Sequence, residues 1–229
     1  MRKLIALVLA AGLLGTSAFA AENTLSAKEK ADGWVLLFDG KTTHGWRSYK
    51  NTEAGRQWQV IDGVLTLTAG GGGDLVTDKD YANFELSFDW RISKKGNSGV
   101  MYHVSEDGGD HPYLTGPEYQ LLDNVNRDEP PLEQAGSLFA LVAPSKDVTK
   151  KIGEFNHSVL KVDHNHVEHW LNGVKVVEYT LGSEDLQARI KGSKFATWPD
   201  FAKYDTGLIA LQDHGDGVAF RNIKIHVLP

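Results

Sequence analysis

The chain of 229 residues contains no cysteine. Disulfide frameworks and thiolate metal sites are therefore excluded, and the core alone must stabilise the fold. Basic residues are also fewer than acidic ones, 24 against 30, which gives a formal net charge of −6. A polyanionic partner such as a nucleic acid is therefore not expected.

Long hydrophobic runs are confined to the N-terminus. Arg2 and Lys3 precede the apolar stretch LIALVLAAGLLG, and the sequence AFA at 18–20 has the small-x-small form of a signal-peptidase site. The stretch is short for a membrane span and lacks a flanking charge cluster, which argues against an uncleaved anchor. We predict a signal peptide over residues 1–20, cleaved after Ala20, and a periplasmic or secreted protein without membrane attachment after cleavage.

Short segments with alternating apolar and polar residues dominate the rest of the sequence. In FELSFDWRI, residues 84–92, the apolar side chains point one way and the polar ones the other. Asn172-Gly173, between HVEHWL and VKVVEY, is a two-residue hairpin signal because both central positions of a type I′ turn need φ > 0. Many short strands separated by turn signals predict an all-β sandwich or jelly roll.

Helical signals are scarce, and no linker divides the chain. One short helix is predicted in SEDLQARIKGS, with Ser183 as its N-cap. We predict a single domain over residues 33–229, preceded by a polar, mobile lead-in over residues 21–32.

The run AGGGGDLVTDKDY, residues 69–81, exposes backbone N–H groups and raises the alternative of a phosphate-binding loop. No Lys-Ser/Thr pair follows it, and the next segment has a strand pattern instead of a helix N-terminus. We therefore interpret it as a loop between strands whose glycines allow φ > 0.

The segment HNHVEHW is rich in side chains that bind metals. If this segment is one arm of a hairpin, one face of the strand carries His164, His166 and Glu168, while His169 points to the opposite face. At most three of the four side chains could therefore bind the same metal ion. The alternative, which we favour, is a set of partly exposed strand residues. The helical His-Glu-x-x-His order of zinc proteases is absent.

The segment TGPEYQLLDN, residues 115–124, places polar side chains on a strand directly after a Gly-Pro turn. Glu118 and Gln120 fall on one face, while the residues on either side of Gln120 face the core. His103, in the preceding strand SGVMYHV, approaches Glu118 if the two strands are neighbours.

Polar residues also occur on other strands whose opposite face is apolar, at Arg91, Gln212 and His214. A solvated sheet face is one explanation. A sugar site is the other, because hydroxyls need donors and acceptors and sugar rings need aromatic side chains. The strand motif Glu-x-Asp-x-x-Glu of laminarinase-like enzymes is absent, which disfavours direct double displacement.

Long, ordered segments carry a family resemblance. They are LLFDGKTTHGWR, GGGDLVTDKDYANFELSFDWRISKKGNSGVMYHV, TGPEYQLLDN, HVEHWLNGVKVVEY, SKFA and GLIALQDHGDGVAFRNIKI. Together they resemble the 3-keto-disaccharide hydrolase domain over nearly all of residues 33–227. The resemblance implies a concanavalin A-like jelly roll of two antiparallel sheets and an exported enzyme acting on glycosides oxidised at C3.

The implied chemistry begins at C2, because a C3 ketone acidifies the C2 proton and the enolate expels the C1 substituent. It needs a general base near C2, a donor for the oxyanion at O3 and an acid for the leaving group. The candidate catalytic residues are Glu118 and His103, as base or acid. The candidate substrate-binding residues are Arg91, Gln120, Asp123, Lys194, Gln212 and His214.

Two alternatives remain open at this point. A divalent metal ion held by carboxylates such as Glu118 and Asp123 would stabilise the oxyanion by chelating O2 and O3. The sequence specifies no cofactor with certainty. A non-catalytic carbohydrate-binding module of the same fold would bind a small-molecule sugar without turning it over.

Overall fold

The computed structural model describes residues 22–229, and the predicted signal peptide lies outside this range. The strands are β1 (Val35–Leu36), β2 (Trp46–Ser48), β3 (Trp58–Ile61), β4 (Val64–Leu67), β5 (Leu75–Thr77), β6 (Phe84–Ile92), β7 (Asn97–Val104), β8 (Glu118–Leu122), β9 (Asn156–Asp163), β10 (His166–Leu171), β11 (Val174–Thr180), β12 (Leu208–Leu211) and β13 (Val218–Val227). The helices are α1 (Ala27–Ala31) and α2 (Glu184–Lys191). No helix in the described range is long and apolar enough to cross a membrane.

The strands form two antiparallel sheets. The larger has the order β11-β10-β9-β6-β13-β4-β3, with β1 also paired to β13, and the smaller has the order β2-β5-β12-β7-β8. The alternating residues of β6 explain the stacking, since Phe84, Leu86, Phe88 and Trp90 are at most 1% exposed and lie in the core between the sheets. The predicted all-β, concanavalin A-like jelly-roll sandwich is confirmed.

Buried polar groups in the core join the two sheets at β8. The Tyr119 hydroxyl lies 2.9 Å from Ser158 Oγ and donates to the backbone carbonyl of Trp170 at 3.0 Å. Trp90 Nε1 donates to the same Ser158 hydroxyl at 2.9 Å. Because these buried groups are paired with one another, they fix the position of β8 against the larger sheet.

The local signals for the helix and the hairpin are confirmed. Ser183 caps α2, since its Oγ accepts from the N–H of Leu186 at 3.2 Å. Asn172 and Gly173 join β10 to β11 with φ of 48° and 80°, the combination that a type I′ turn requires.

The conformation of Gly173 gives a stability prediction. A methyl group there would meet nothing within 4 Å, so the cost of Gly173→Ala is that of the positive φ alone. We expect the free energy of unfolding to fall by about 1 kcal/mol. Gly192→Ala is the matched control, because this glycine has φ −86° and space for a methyl group. Urea denaturation of both variants checks this, and equal midpoints would contradict it.

The N-terminal segment, predicted as a polar lead-in, contacts the larger sheet through hydrogen bonds. Asn23 is buried and exchanges hydrogen bonds with Asn222 on β13, at 2.6 and 2.8 Å. The helix α1 begins in a capping box of Ser26 and Glu29, and Glu29 also pairs with Lys224. The sequence reading missed these contacts because a polar segment can dock through hydrogen bonds without an apolar pattern.

Candidate active site

A cavity of about 300 Å³ lies on the outer face of the smaller sheet, and polar residues of β8 form part of its floor. Its lining residues are Asn97, Tyr113, Gly116, Glu118, Gln120, Phe139, Lys194, Phe195, Trp198, Phe201, Gln212 and His214. The structure therefore brings together five of the predicted site residues: Glu118, Gln120, Lys194, Gln212 and His214.

Strand register explains why residues so distant in sequence meet on this floor. Gln120 pairs with Gly99 on β7, and the N–H of Gln212 donates to the carbonyl of Gly99 at 2.9 Å. Glu118 lies in the adjacent row, opposite Met101. Directly opposed residues of antiparallel strands share a face, so these side chains point into the same cavity.

The carboxyl group of Glu118 is the most perturbed acid of the site. It lies directly over Gly99, where a methyl group would be 1.9 Å from Glu118 Oε1. The residue is 8% exposed, and no hydrogen bond joins its carboxyl group to a described residue. Burial raises the pKa of Glu118 to about 8, while the nearby charge of Lys194 lowers it and that of Asp74 raises it.

Three carboxamides beside Glu118 carry unused acceptors. The side-chain oxygens of Asn97, Gln120 and Gln212 are buried and have no hydrogen-bond partner among residues 22–229. An unpaired buried acceptor costs free energy, and a polyhydroxylated ligand supplies the donors that would satisfy it. The floor is thus suited to binding hydroxyl groups.

An aromatic wall faces this floor. It consists of Tyr113, Phe139, Phe195, Trp198 and Phe201. Phe195 and Phe201 stack with ring centroids 4.0 Å apart, and the Lys194 ammonium lies 4.2 Å from the Phe139 ring centroid. Aromatic faces opposite hydrogen-bonding groups are suited to a sugar ring.

Sequence reasoning missed this wall, although the signal was available. In KFATWPDF, the residues Phe195, Trp198 and Phe201 follow each other at intervals of three. The first two belong to or border a 3₁₀ turn, Lys194–Thr197, in which residues three apart lie on one side.

Asp74 is a second acid that sequence reasoning missed. It precedes β5, and its Oδ1 accepts from the N–H of Asp213 at 2.7 Å. Burial raises the pKa of Asp74 to about 6, while His111 and His214 are close enough to lower it. Asp74 lies two residues before Val76, and residues two apart in a strand point to the same face. This alternation was the signal that could have placed Asp74 on the face of the sheet that carries the cavity floor.

The prediction that His103 approaches Glu118 is wrong. Met101 pairs with Ala210 but Val104 pairs with Leu208, so β7 has one residue more than β12 in this stretch, a β-bulge. His103 has φ 51° there, and its Nε2 lies 2.8 Å from the carbonyl oxygen of Ala82, away from the cavity. Strict alternation fails at a bulge, so His103 is not a partner for Glu118.

Arg91 and Asp123 also lie outside the cavity, contrary to prediction. Arg91 is on β6 of the larger sheet, exposed, with its guanidinium 4.7 Å from the Phe155 ring centroid. Asp123 accepts from the backbone N–H groups of Lys95, Val125 and Asn126 at 2.8 to 3.3 Å. It shapes a loop and does not join Glu118 as a second carboxylate for a metal ion.

The segment HNHVEHW places its side chains on two faces of the sheet, as predicted. The three side chains that converge include Glu178 in place of the predicted His164. His166, Glu168 and Glu178 have ligand atoms within 4.8 Å on the larger sheet. Lys175 Nζ lies 3.1 Å from Glu168 and 2.5 Å from Glu178, so an ammonium already neutralises the carboxylates. His169 is buried beneath, with Nδ1 3.0 Å from the carbonyl oxygen of Gly136.

A β-sandwich whose outer face combines a buried acid, carboxamides and an aromatic wall has the chemistry expected of a carbohydrate-active protein. The chain belongs to the family of 3-keto-alpha-glucoside-1,2-lyase-like domains, whose model matches residues 33–226. It is 35% identical over 238 residues to a 3-keto-disaccharide hydrolase of Bacteroides thetaiotaomicron, covering 90% of this chain and 82% of that relative.

Solved structures agree with this assignment. A proposed glycosyl hydrolase from Parabacteroides distasonis matches with a TM-score of 0.86 and 37% identity, covering 91% of this chain and all of that chain. A second one from the same organism has a TM-score of 0.68 and 28% identity, covering 85% and 99%. The protein is therefore an enzyme that cleaves glycosides, and the alternative of a non-catalytic binding module is not supported.

Proposed function

We propose that this enzyme cleaves 3-keto-glycosides by elimination followed by hydration. The observation that carries the proposal is Glu118, the one carboxyl group among the described residues that line the cavity, which packs over Gly99. Burial raises its pKa to about 8, which suits proton transfer near neutral pH. A carbon acid is the substrate that one such base can activate without a second opposed carboxylate. The family description and the name of the Bacteroides relative support the same substrate class.

The proposed steps balance in protons and electrons. The carboxylate of Glu118 removes the C2 proton, and the C–H electron pair forms the C2–C3 enolate with its charge on O3. The enolate re-forms the ketone as the C1–C2 double bond appears and the C1–O bond breaks, and the departing oxygen takes a proton. Water then adds to C1 and a proton returns to C2, which releases a 3-keto sugar.

The other cavity residues have binding roles in this scheme. The Lys194 ammonium and the carboxamide N–H groups of Gln212 donate to O3 and to hydroxyls, and each oxyanion donor contributes on the order of 3 to 4 kcal/mol to barrier lowering. Gln120 donates to the carbonyl of Glu133 at 3.2 Å, so its unpaired oxygen accepts from a substrate hydroxyl. His214, at the exposed end of the cavity, replaces His103 as the candidate acid for the leaving oxygen.

Isotope labelling tests the mechanism. Wild-type enzyme and a 3-keto-disaccharide in D₂O should give a released 3-keto sugar with deuterium at C2, because the proton on C2 comes from solvent. Direct displacement at C1 would leave C2 unlabelled. A reaction without enzyme measures spontaneous exchange, and unlabelled product formed faster than that exchange would refute elimination.

The raised pKa of Glu118 predicts the pH dependence. Only the ionised carboxyl accepts a proton, so kcat/KM should rise with pH and level off above the pKa of about 8. At pH 6 it should be about 100-fold below the plateau, because about 1% of the base is ionised two units below its pKa. A profile of kcat/KM against pH checks this, with the rate of the reaction without enzyme subtracted at each pH. A rate independent of pH between 6 and 9 would exclude Glu118 as the base.

We also propose that the enzyme is exported, on the basis of the signal-sequence pattern over residues 1–20. Expression of the full chain in a bacterium, followed by fractionation and N-terminal sequencing, tests this. Mature protein from the periplasm or medium should begin at Ala21. A cytoplasmic product that retains Met1 would count against export.

A further inference from the structure

The glycine-rich loop that joins β4 to β5 folds around a carboxylate of the chain itself. The backbone N–H groups of Gly71, Gly72 and Gly73 donate to Oδ2 of Asp213 at 2.9, 2.8 and 3.0 Å. Gly71 and Gly73 have φ of 101° and 71°, and such alternation turns successive N–H groups toward one point. The loop is thus an anion-binding nest that is already filled by the Asp213 carboxylate of the same chain. For this reason it serves as a connection between strands and not as a phosphate site.

The contacts around Asp213 lock two segments together. Its Oδ1 accepts from the N–H of Gly215 at 3.0 Å, and its own N–H donates to Asp74 at 2.7 Å. Gly70 donates to the carbonyl of Gly215 at 3.2 Å. A methyl group on Gly70 would lie 2.6 Å from the Gly215 Cα, so the close approach of the two backbones requires glycine.

Asp213 stands in sequence between two residues of the cavity, Gln212 and His214. The backbone of Gln212 is held separately, since its N–H donates to the carbonyl of Gly99 at 2.9 Å and its carbonyl accepts from Ser98 Oγ at 2.8 Å. The Asp213 carboxylate ties the residues that follow, 213–215, to the glycine-rich loop. We infer that Asp213 is a positioning residue, which holds His214 in the cavity by binding the glycine nest. The effect on turnover rests on the proposed function, whereas the effect on geometry does not.

Asp213→Ala tests the inference, because it leaves the three N–H groups without their anion. We expect kcat to fall about 10- to 100-fold, as small misplacements of binding groups do. Formate, a carboxylate small enough for the vacated nest, should restore kcat several-fold in a saturable manner and leave the wild type unchanged. A wild-type kcat in Asp213→Ala would overturn the inference, as would a loss of kcat that formate does not reverse.

Asp39→Ala is the matched control. Asp39 also caps a loop, accepting from the N–H groups of Lys41 and Thr42 at 2.8 Å, but it does not line the cavity. Asp39→Ala should lower the midpoint of thermal unfolding but leave kcat at the wild-type value, and formate should not change the kcat of this variant. If Asp213→Ala does not fold, Asp213→Asn takes its place, with kcat several-fold lower because a neutral oxygen accepts more weakly. Unchanged kcat there would refute the inference.

Histidine NMR separates this inference from the proposed function. In protein with ¹³C-labelled histidine rings, the His214 resonance, assigned with His214→Gln, should shift in Asp213→Ala and return on addition of formate. An unmoved resonance would reject the positioning role even if the enzyme is active. If the wild type does not cleave 3-keto-glycosides but the resonance behaves as expected, the proposed function fails and the positioning role stands.

Discussion

Glu118→Gln should lower turnover of a 3-keto-disaccharide by about 100-fold or more while the protein stays folded. Gln keeps the shape of the side chain but cannot accept the C2 proton. Because the carboxyl group has no hydrogen-bond partner among residues 22–229, the change leaves no described group unpaired. KM should change much less than kcat. Steady-state kinetics and release of reducing sugar measure both, with His166→Gln, on the larger sheet, as a control that keeps wild-type turnover.

Stability against pH distinguishes lost chemistry from a damaged fold in the same variant. The pKa of Glu118 is raised from 4.5 to about 8, so the protonated carboxyl stabilises the folded state relative to the ionised one. This contribution to the free energy of unfolding is fully present below about pH 4.5 and is lost as the pH rises through 8. At about 1.4 kcal/mol per pKa unit, Glu118→Gln should be more stable than wild type by a few kcal/mol at pH 9 and similar at pH 4.5. Equal stability at both pH values, or unchanged turnover, would contradict the assignment of Glu118.

The fold was predictable because its signals are local. The alternation in β6, the Asn172-Gly173 turn and the Ser183 cap each depend on a few neighbouring residues, and each is where the sequence predicts it. The attachment of residues 22–32 was not predictable, since Asn23 pairs with Asn222 through hydrogen bonds that have no periodic signature.

The candidate site was predictable in part. Glu118 and Gln120 share a face because successive side chains of a strand alternate between its two faces. Both residues lie within β8, where this alternation is regular. His103 was misplaced because one bulge in β7 reverses the face of every later residue. Asp74 and the aromatic wall depend on register and loop packing, which a single sequence does not specify.

Gly99→Ala should lower the activity without replacing any polar side chain. The methyl group would lie 1.9 Å from Glu118 Oε1, 2.7 Å from Cδ and 2.8 Å from Cγ. All three atoms belong to one flexible side chain, so the fold is retained and the carboxyl group must move. We expect kcat to fall about 10- to 100-fold, because displacement of a catalytic group by about 1 Å has this effect. Gly192→Ala, which adds a methyl group at an unobstructed position, should leave kcat unchanged.

The double variant makes this prediction specific for the contact between the two residues. If Gly99→Ala acts by displacing Glu118, combining it with Glu118→Gln should cost little more than Glu118→Gln alone, since residues that act as one unit are not additive. If the two losses multiply, Gly99 serves substrate binding in its own right, and the close packing of Glu118 on Gly99 is not what places the base. A Gly99→Ala variant with wild-type kcat would show that the carboxyl group tolerates displacement, which a base for C2 proton removal cannot.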